Sequence, residues 1–481
     1  MLITTLTDLS FLEKNKPFPP DSETNRLNRY KQNKLLFEDE HGEVYKEQFD
    51  RIERVIGNFD RVVSYATILN YQKLMTMKTA DFVFGIPPDI SVSDDSKNTI
   101  IKKILFDTDF WNKMYMSAID LSRYGDSIMQ IAKVGEQQAR LDVISPVWWF
   151  PVVDKENIKQ FSYHCFCRVF ILDSQRKMYG LKVHIHKPDE PGVCEERIFR
   201  LDGKPGSFKI NKEITKPKDS EIETELNVCP VFHVSNTATS DRCFGIDDYN
   251  SIDSIVSELI VRVSQVSKVL DKFSSPGMTG PKSAMTWNDT LQRWEFFVED
   301  YVARNNENDP KPEFLTWDAN MEANFKQIEF LVNQLYTISE MGSAVFGDLS
   351  NSTGNVASGT ALRRLMMSPL AKAQRIVNRY DRVIKQLISM FAEIYGVAID
   401  PIEISVKWND GLPSDPVEEA NIINLRTGGK ATLSRWTAIQ RFDKMSDSDT
   451  DTEIKMIDED ETAETAGEIP VNDPEDTVVE K

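Results

Sequence analysis

The sequence of 481 residues is poor in the side chains that build disulfide scaffolds and metal centres, with only five cysteines and five histidines. An odd number of cysteines within one middle region disfavours a disulfide framework and favours folding in a reducing cytoplasm. No apolar run approaches the roughly 20 residues that span a bilayer. The N-terminus lacks a basic segment, so we expect no signal peptide. The cysteines are Cys165, Cys167, Cys194, Cys229 and Cys243.

Catalytic and cofactor signatures are equally scarce. The sequence contains no G-x-S-x-G elbow, no H-E-x-x-H pair and no glycine-rich dinucleotide fingerprint, so we predict no enzyme and no cofactor. Histidines and cysteines of the middle region could converge, because strand residues two apart share a face. Their spacings are not those of zinc sites, which favours buried cysteines and surface histidines over a metal. These residues are His164, Cys165, Cys167, His184 and His186.

Basic residues are also fewer than acidic residues. Lysine and arginine number 57 against 76 aspartate and glutamate residues, which gives a net charge of −19. A protein that grips nucleic acid is usually basic, because its cations release counterions from the phosphates. We therefore do not expect this chain to hold nucleic acid over most of its surface. The acidity indicates either simple solubility or a surface past which DNA moves without sticking.

The hydrophobic periodicity predicts the fold class α+β. Helical spacing dominates the first part of the chain and ends at Gly125. Short β-branched and aromatic runs follow at about 126–235, and they predict antiparallel strands with a charged loop at 203–225.

Two amphipathic helices are predicted next, at 247–273 and 319–343, and Asn288 and Asp289 between them predict a turn joining two strand pieces. The first helix repeats apolar residues at the heptad period, as in helices that bury one seam against a neighbour. This seam consists of Ile252, Val256, Leu259, Val263, Val266, Leu270 and Phe273. The seam of the second helix consists of Met321, Phe325, Ile328, Val332 and Leu335.

The C-terminal part begins with a long helix predicted at 359–395, in which Pro369 should produce a kink or mark an irregular turn. A basic stripe on this helix favours a solvated side with local ion pairs, and contact with an acidic neighbouring subunit is the alternative. The stripe consists of Lys372, Arg375, Arg379 and Arg382. Residues 458–481 are acidic with few apolar anchors, and we expect them to be disordered.

The stretch "GDLSNSTGNVASGTALRRLMMSPL" at 347–370 raises the question of a phosphate site. Gly354, Gly359 and Thr360 fit the P-loop spacing, but no lysine precedes Thr360 to hold the phosphates. We therefore interpret the stretch as a polar loop between two helices, with Ser358 as a helix N-cap. A nucleotide-dependent enzyme that uses residues 347–360 stays the alternative.

Several segments in order resemble the portal proteins of tailed bacteriophages, particularly phages with long non-contractile tails that infect Gram-positive hosts. The resemblance covers about residues 25–440. Its most specific parts are "ISEMGSAVFGDLSNSTGNVASGTALRRLMMSPLAKAQRIVNRYD" at 338–381, and "YGDSIMQIAKV" followed by "LDVISPVWWFPVVD". A weaker match is "TADFVFGIPPDIS" at 79–91.

This resemblance implies a ring, usually of twelve subunits, at one capsid vertex of the virion, through which double-stranded DNA passes. It also implies that the ring assembles in the host cytoplasm, and that it is neither an enzyme nor a membrane protein. The implied partners are other copies of the chain, DNA, the terminase large subunit, the major capsid and scaffolding proteins, and a head-completion adaptor. A capsid scaffold or adaptor that never contacts DNA is a further alternative.

The order of parts in the family implies the domain organisation. We expect an α/β wing at 1–245, stem helices at 246–273 and 319–345, a clip at 274–318, a channel loop at 346–357, a long wing or spine helix at 358–395, a helical crown at 396–457 and an acidic tail at 458–481.

The resemblance also implies which residues act. The stem uses the first seam, and Trp287, Trp294 and Phe296 are expected to contact partners in the clip. The channel-loop residues are Gly347, Asp348, Ser350, Asn351, Thr353, Gly354, Asn355 and Val356.

Overall fold

The structure of the protein is a computed structural model. It describes residues 5–52, 66–215, 220–274, 278–279, 285–290, 292–296, 313–314, 321–347, 363–409, 416–428, 431–442, 445 and 447–467. The chain forms two compact units, one of Met1–Thr353 with Leu365–Gly411 and one of Gly354–Arg364 with Leu412–Lys481. The first unit combines helices with antiparallel sheets, which confirms the predicted α+β class. Among the residues that the structure describes, no helix is long and apolar enough to cross a membrane.

The first unit opens with helices whose ends follow local sequence signals. The Asn70 side chain accepts from Lys73 N at 2.8 Å and caps one helix, and Asp94 caps the next in the same way. Gly125 ends the last of them at φ +84°, a left-handed conformation that suits glycine. The helices are α1 (Thr24–Phe37), α2 (His41–Val44), α3 (Lys46–Ile52), α4 (Tyr71–Phe84), α5 (Asp95–Asp107) and α6 (Phe110–Tyr124).

Strands occupy the region in which the sequence pattern changes its period. They are β1 (Pro17–Phe18), β2 (Asp89–Ser91), β3 (Asp126–Gly135), β4 (Gln138–Ile144), β5 (Trp149–Val153), β6 (Phe161–Asp173), β7 (Met178–His186), β8 (Val193–Lys204), β9 (Ser207–Glu213), β10 (Glu221–Glu223) and β11 (Val231–Ser235).

A large antiparallel sheet has the order β1-β9-β8-β7-β6-β5, with β10 paired to β8. One face buries Leu181, Val183 and Ile185 against Phe11 and Leu12 of the N-terminal segment. A smaller antiparallel sheet has the order β11-β3-β4. Its residues Met129 and Leu141 belong to the main core, together with apolar residues of the helices.

The remaining elements of the first unit are helical, with short two-stranded pairs between them. The helices are α7 (Asp253–Ser274), α8 (Met321–Ile338), α9 (Gly342–Val345) and α10 (Met367–Ile394). The pairs are β12 (Met278–Thr279) with β15 (Glu313–Phe314), β13 (Met285–Asn288) with β14 (Arg293–Phe296), and β16 (Ser405–Lys407) with β2.

The second unit is helical, with α11 (Pro416–Thr427), α12 (Arg435–Phe442) and α13 (Asp447–Gly467). Trp436 Nε1 donates to Asp451 Oδ1 at 2.7 Å, and Ala438 and Thr450 are buried. Residues 458–467 thus lie in a helix, where we expected disorder. The helix is explained by these contacts between α12 and α13, which a composition-based prediction does not include.

Three sequence expectations differ from the structure. The charged loop expected at 203–225 contains β9 and β10, because its apolar residues Phe208 and Ile210 complete the core of the large sheet. The helix expected from 247 begins at Asp253. The helix expected from 359 is interrupted by a turn at Met366: residues 363–365 are already helical, residues 359–362 lie outside the described part of the chain, and α10 begins at Met367. Pro369 then lies in the first turn of α10, where its missing N–H costs no helical hydrogen bond.

Two glycines allow backbones to approach closely where the sheets meet the segment before α7. Gly125 O accepts from Asn236 N at 2.7 Å, and Gly245 N donates to Asp126 Oδ1 at 2.9 Å. A Cβ added at Gly245 would lie 1.9 Å from Gly125 O and 2.5 Å from Asn236 O. No side chain fits between these backbone atoms.

We expect Gly245→Ala to lower the free energy of unfolding by at least about 3 kcal/mol, because backbone atoms would have to move apart. Gly192→Ala is the matched control, since the nearest atom to its added Cβ is Leu226 O at an ordinary 3.8 Å. Urea denaturation followed by circular dichroism measures both variants. Equal stability of the two would contradict the close approach at Gly245.

Candidate stem, clip and channel-loop surfaces

Carboxylates of the segment that leads into α7 are held by cations from distant elements. Arg29 on α1 donates to Asp247 at 2.6 and 3.1 Å and to Asp253 at 2.6 Å. Burial by itself lowers the pKa of Arg29, but the hydrogen bond and charge of Asp247 outweigh it, so the pKa is raised. Arg29 therefore keeps its charge and ties α1 to the start of α7.

Asp248 is the centre of a buried network. Its Oδ2 accepts from Ser122 Oγ at 2.6 Å and from Thr79 Oγ1 at 3.3 Å. Its Oδ1 accepts from Asn236 Nδ2 at 2.9 Å and lies 3.0 Å from Lys372 Nζ. These partners come from α4, α6, α10 and the end of β11, so this one carboxylate connects four elements.

Lys372 also reaches the end of α8. Its Nζ lies 3.4 Å from Ser339 O, and the residue is only 7% exposed. The expectation of a solvated side is therefore wrong for Lys372. Elsewhere on the stripe, Arg375 pairs with Glu340, Arg379 donates to Ser235 O at 2.9 Å, and Arg382 is exposed. Lys372 thus links α10 to the beginning of α7 and to the end of α8.

The sequence did not predict these roles. Asp247 and Asp248 stand at the start of the helix predicted at 247–273, where acids are common, so the sequence pattern favours a role at the helix N-terminus. The structure uses both in tertiary ion pairs, and α7 starts after them. The available signal was the density of carboxylates between 247 and 253, which does not identify the partners.

The predicted seam of α7 divides into two parts. Ile252, Val256 and Leu259 are fully buried and pack in one core cluster with Met75 and Leu335. Further along, Val266 is buried, Val263 is half-buried and Leu270 is 52% exposed. The side chain of Phe273 lies outside the described residues. The helix therefore buries its first turns within its own chain and leaves apolar surface towards its C-terminal end.

The second helix of this pair, α8, exposes more of its apolar residues. Leu335 is buried, and Met321, Ile328 and Val332 are half-buried. Phe325 is 52% and Phe330 60% exposed. Of the predicted seam, Phe325 is therefore not covered within its own chain.

The hairpin predicted around Asn288 and Asp289 is present as β13 and β14. Trp287 lies opposite Trp294 across the strand pair. Trp287 is 40% exposed, whereas the side chains of Trp294 and Phe296 lie outside the described residues. Of the residues expected in the channel loop, Gly347 is exposed at φ +85°. The others, from Asp348 to Val356, lie outside the described residues.

The histidines and cysteines of the large sheet are packed in its interior. His164 lies opposite His186 in the β6–β7 register, and both are buried, so the expectation of surface histidines is wrong for this pair. Burial lowers the pKa of His164 to about 3 and that of His186 to about 4, so both are neutral at pH 7. Trp149 Nε1 donates to His164 Nδ1 at 3.2 Å.

The cysteines follow the prediction more closely. Cys165 and Cys167 are buried, as expected, and burial raises the pKa of both thiols. Burial also raises the pKa of Cys194 and Cys243 to about 12. In the part of the chain that the structure describes, no three His, Cys, Asp or Glu side chains are arranged to hold a metal ion.

The solved structures that match this chain include proteins of gene transfer agent particles. One match is the neck of a native particle computed with C12 symmetry. The alignment covers 76% of this chain and 88% of the matched chain at 10% sequence identity, with a TM-score of 0.40. Another is the neck of an empty particle computed with C6 symmetry. The alignment covers 77% of this chain and 89% of the matched chain at 10% sequence identity, with a TM-score of 0.46. No curated protein matches the sequence.

A family model of phage portal proteins matches residues 20–466, which is most of the chain. The chain belongs to this family, whose description is "Phage portal protein, SPP1 Gp6-like". The family is structural and non-enzymatic, and its members are virion proteins of the portal vertex.

We expect Lys372→Met to lower the free energy of unfolding by about 3–5 kcal/mol, because it leaves the Asp248 carboxylate buried without its cation. Arg375→Ala is the control and should cost less than about 1 kcal/mol, because the Arg375–Glu340 pair is exposed. The double variant Lys372→Met/Asp248→Asn should recover part of the loss in chemical denaturation. Additive losses in this cycle would show that the two side chains do not interact.

Proposed function

We propose that the chain forms a ring, of twelve copies, through which double-stranded DNA is packaged and ejected at one capsid vertex. The single observation that carries this proposal is the family match over residues 20–466. The acidic composition supports it, because strong phosphate contacts would have to break at every step of translocation. The proposed source is a phage with a long non-contractile tail and a Gram-positive host, in whose cytoplasm the ring assembles.

The proposed division of labour follows the domains expected from the sequence. The wing at 1–245, the stem helices and the crown at 396–457 form the proposed ring subunit, and the clip at 274–318 docks the terminase large subunit and later the head-completion adaptor. Exposure of Trp287 on the clip hairpin supports such a docking role. The major capsid and scaffolding proteins are the further proposed partners.

Apolar side chains of α7 and α8 that the chain itself leaves exposed are proposed to pack against a neighbouring copy. Leu270, Phe325 and Phe330 are each more than half exposed. Both helices are amphipathic, and burying such residues against a neighbour stabilises an oligomer. The inner seam at Ile252, Val256 and Leu259 already packs within the chain, so it supports the stem from inside.

The channel loop at 346–357 is proposed to line the bore. Residues 347–356 carry one carboxylate, Asp348, and no lysine or arginine. Polar side chains without positive charge can pass along phosphates without binding them firmly. The same lack of lysine disfavours a nucleotide-dependent enzyme that uses this stretch, and we propose that ATP hydrolysis belongs to the terminase.

We expect Phe330→Asp to prevent ring formation, because it places a charge in the proposed contact between copies. The folded subunit should keep its stability, because Phe330 is 60% exposed. Gln327→Asp adds the same charge at an exposed polar position of α8 and serves as the control. Native mass spectrometry and negative-stain images measure the rings. Normal rings in Phe330→Asp would exclude this contact between copies. If images of the wild-type protein show no central hole as wide as a DNA duplex, a capsid scaffold or adaptor would be favoured instead.

We expect Asn351→Arg/Asn355→Arg to slow DNA passage while leaving rings intact, because arginines would hold the phosphates. Asn351→Gln/Asn355→Gln changes the same positions without charge and should package normally. The length of DNA packaged per particle over time measures the effect. Identical packaging by the two variants would show that the loop does not contact DNA.

A further inference from the structure

One face of the large sheet carries like charges directly opposite each other. Arg168 on β6 lies opposite Lys182 on β7, and Arg200 on β8 lies opposite Lys212 on β9. Like charges in directly opposite positions of an antiparallel pair destabilise the sheet. The chain has a net charge of −19 and is therefore rich in acidic residues. Even so, both positions of each pair carry a basic residue.

These side chains form one continuous surface, the basic sheet face, defined by Arg168, Lys182, Arg200, Lys209 and Lys212. Lys182 lies opposite Ile198, and Arg200 follows two residues later on the same face of β8. Lys209 lies opposite Asp202, again two residues further along the strand. Four cationic positions thus line up on three adjacent strands, and Arg168 completes the face on the next one.

Carboxylates neutralise only part of the basic sheet face. Lys182 Nζ lies 2.7 Å from Glu196, and Arg200 Nε lies 3.8 Å from Asp202. Arg168 instead stacks over the exposed Trp148, with its guanidinium carbon 4.5 Å from the ring centroid. The ring orients the guanidinium and leaves its donors available for a carboxylate.

Aromatic surface accompanies the charge. Phe170 lies on the same face, two residues beyond Arg168, and is 36% exposed. A Cβ added to Gly180, opposite Phe170, would lie 2.8 Å from the ring, so the ring lies across the neighbouring strand. The other end of this face is covered, because Phe166 and Trp149 pack with Ile128 and Val231 of the smaller sheet. Among the residues that the structure describes, the basic and aromatic end of this face is uncovered.

We propose that the basic sheet face docks an acidic protein segment that carries apolar side chains between its carboxylates. Carboxylates of the segment would pair with Arg168 and Lys212, and its apolar side chains would pack on Trp148 and Phe170. A protein segment fits better than nucleic acid for two reasons. Glu196 and Asp202 interrupt the face, which a continuous phosphate chain would meet unfavourably, and the acidic remainder of the chain repels a long polyanion.

The test uses the full-length protein and a fluorescein-labelled peptide of repeated Glu-Glu-Leu-Tyr in a fluorescence anisotropy titration. Arg168→Gln/Lys212→Gln should weaken binding at least about tenfold, because it removes the two charges proposed to pair with carboxylates of the peptide. Lys14→Gln/Lys31→Gln removes two exposed lysines elsewhere and should stay within about twofold. A Gln-Gln-Leu-Tyr peptide and a labelled (dT)20 oligonucleotide should both bind more weakly than the acidic peptide.

A second measurement uses the repulsion between the opposite basic residues Arg200 and Lys212. Lys212→Glu turns the pair with Arg200 into an attractive one, so it should raise Tm while weakening the peptide complex. Equal peptide affinity of the two double variants would overturn the proposal, as would tighter binding of (dT)20. Loss of rings in Lys212→Glu with unchanged peptide affinity would also overturn it, because the face would then be a contact between copies.

Discussion

The buried contact between Lys372 and Asp248 is the interaction on which the arrangement of α7, α8 and α10 depends. Asp248 accepts hydrogen bonds from α4, α6 and the end of β11, and Lys372 adds α10 and the carbonyl of Ser339, which directly follows α8. A charge buried at this depth is stable only when its partners are all in place. The direction in which α7 leaves the sheets is therefore coupled to the position of α10, although the two helices are far apart in sequence.

Sequence signals predicted those helix ends and turns whose conformation depends on the residues at that point of the chain. Gly125 ends α6 because only glycine adopts its left-handed conformation easily, and Asn288 with Asp289 marks the β13–β14 turn. The sequence pattern predicts a loop around Phe208 and Ile210, because their charged neighbours mask the alternation of apolar residues. Their place in the sheet depends on pairing with β8, a contact that composition does not contain.

The candidate site was predictable only in part, for the same physical reason. The heptad spacing located the apolar face of α7, but burial of Val256 and exposure of Leu270 depend on where other elements end. The basic stripe was visible on α10, whereas the burial of Lys372 depends on Asp248, which lies over a hundred residues earlier. Membership of a structural, non-enzymatic family narrows the function further than the geometry does, because such a family has no reacting groups to recognise.

The burial of the cysteines has a practical consequence for labelling this protein with fluorescent dyes. Cys165, Cys167, Cys194 and Cys243 are buried, and their raised pKa keeps them as unreactive thiols at neutral pH. Maleimide dyes should therefore ignore these four native sulfurs in the folded subunit. A single cysteine introduced on the surface would outcompete them, so the protein can be labelled at one site with a fluorescent dye without first removing those four.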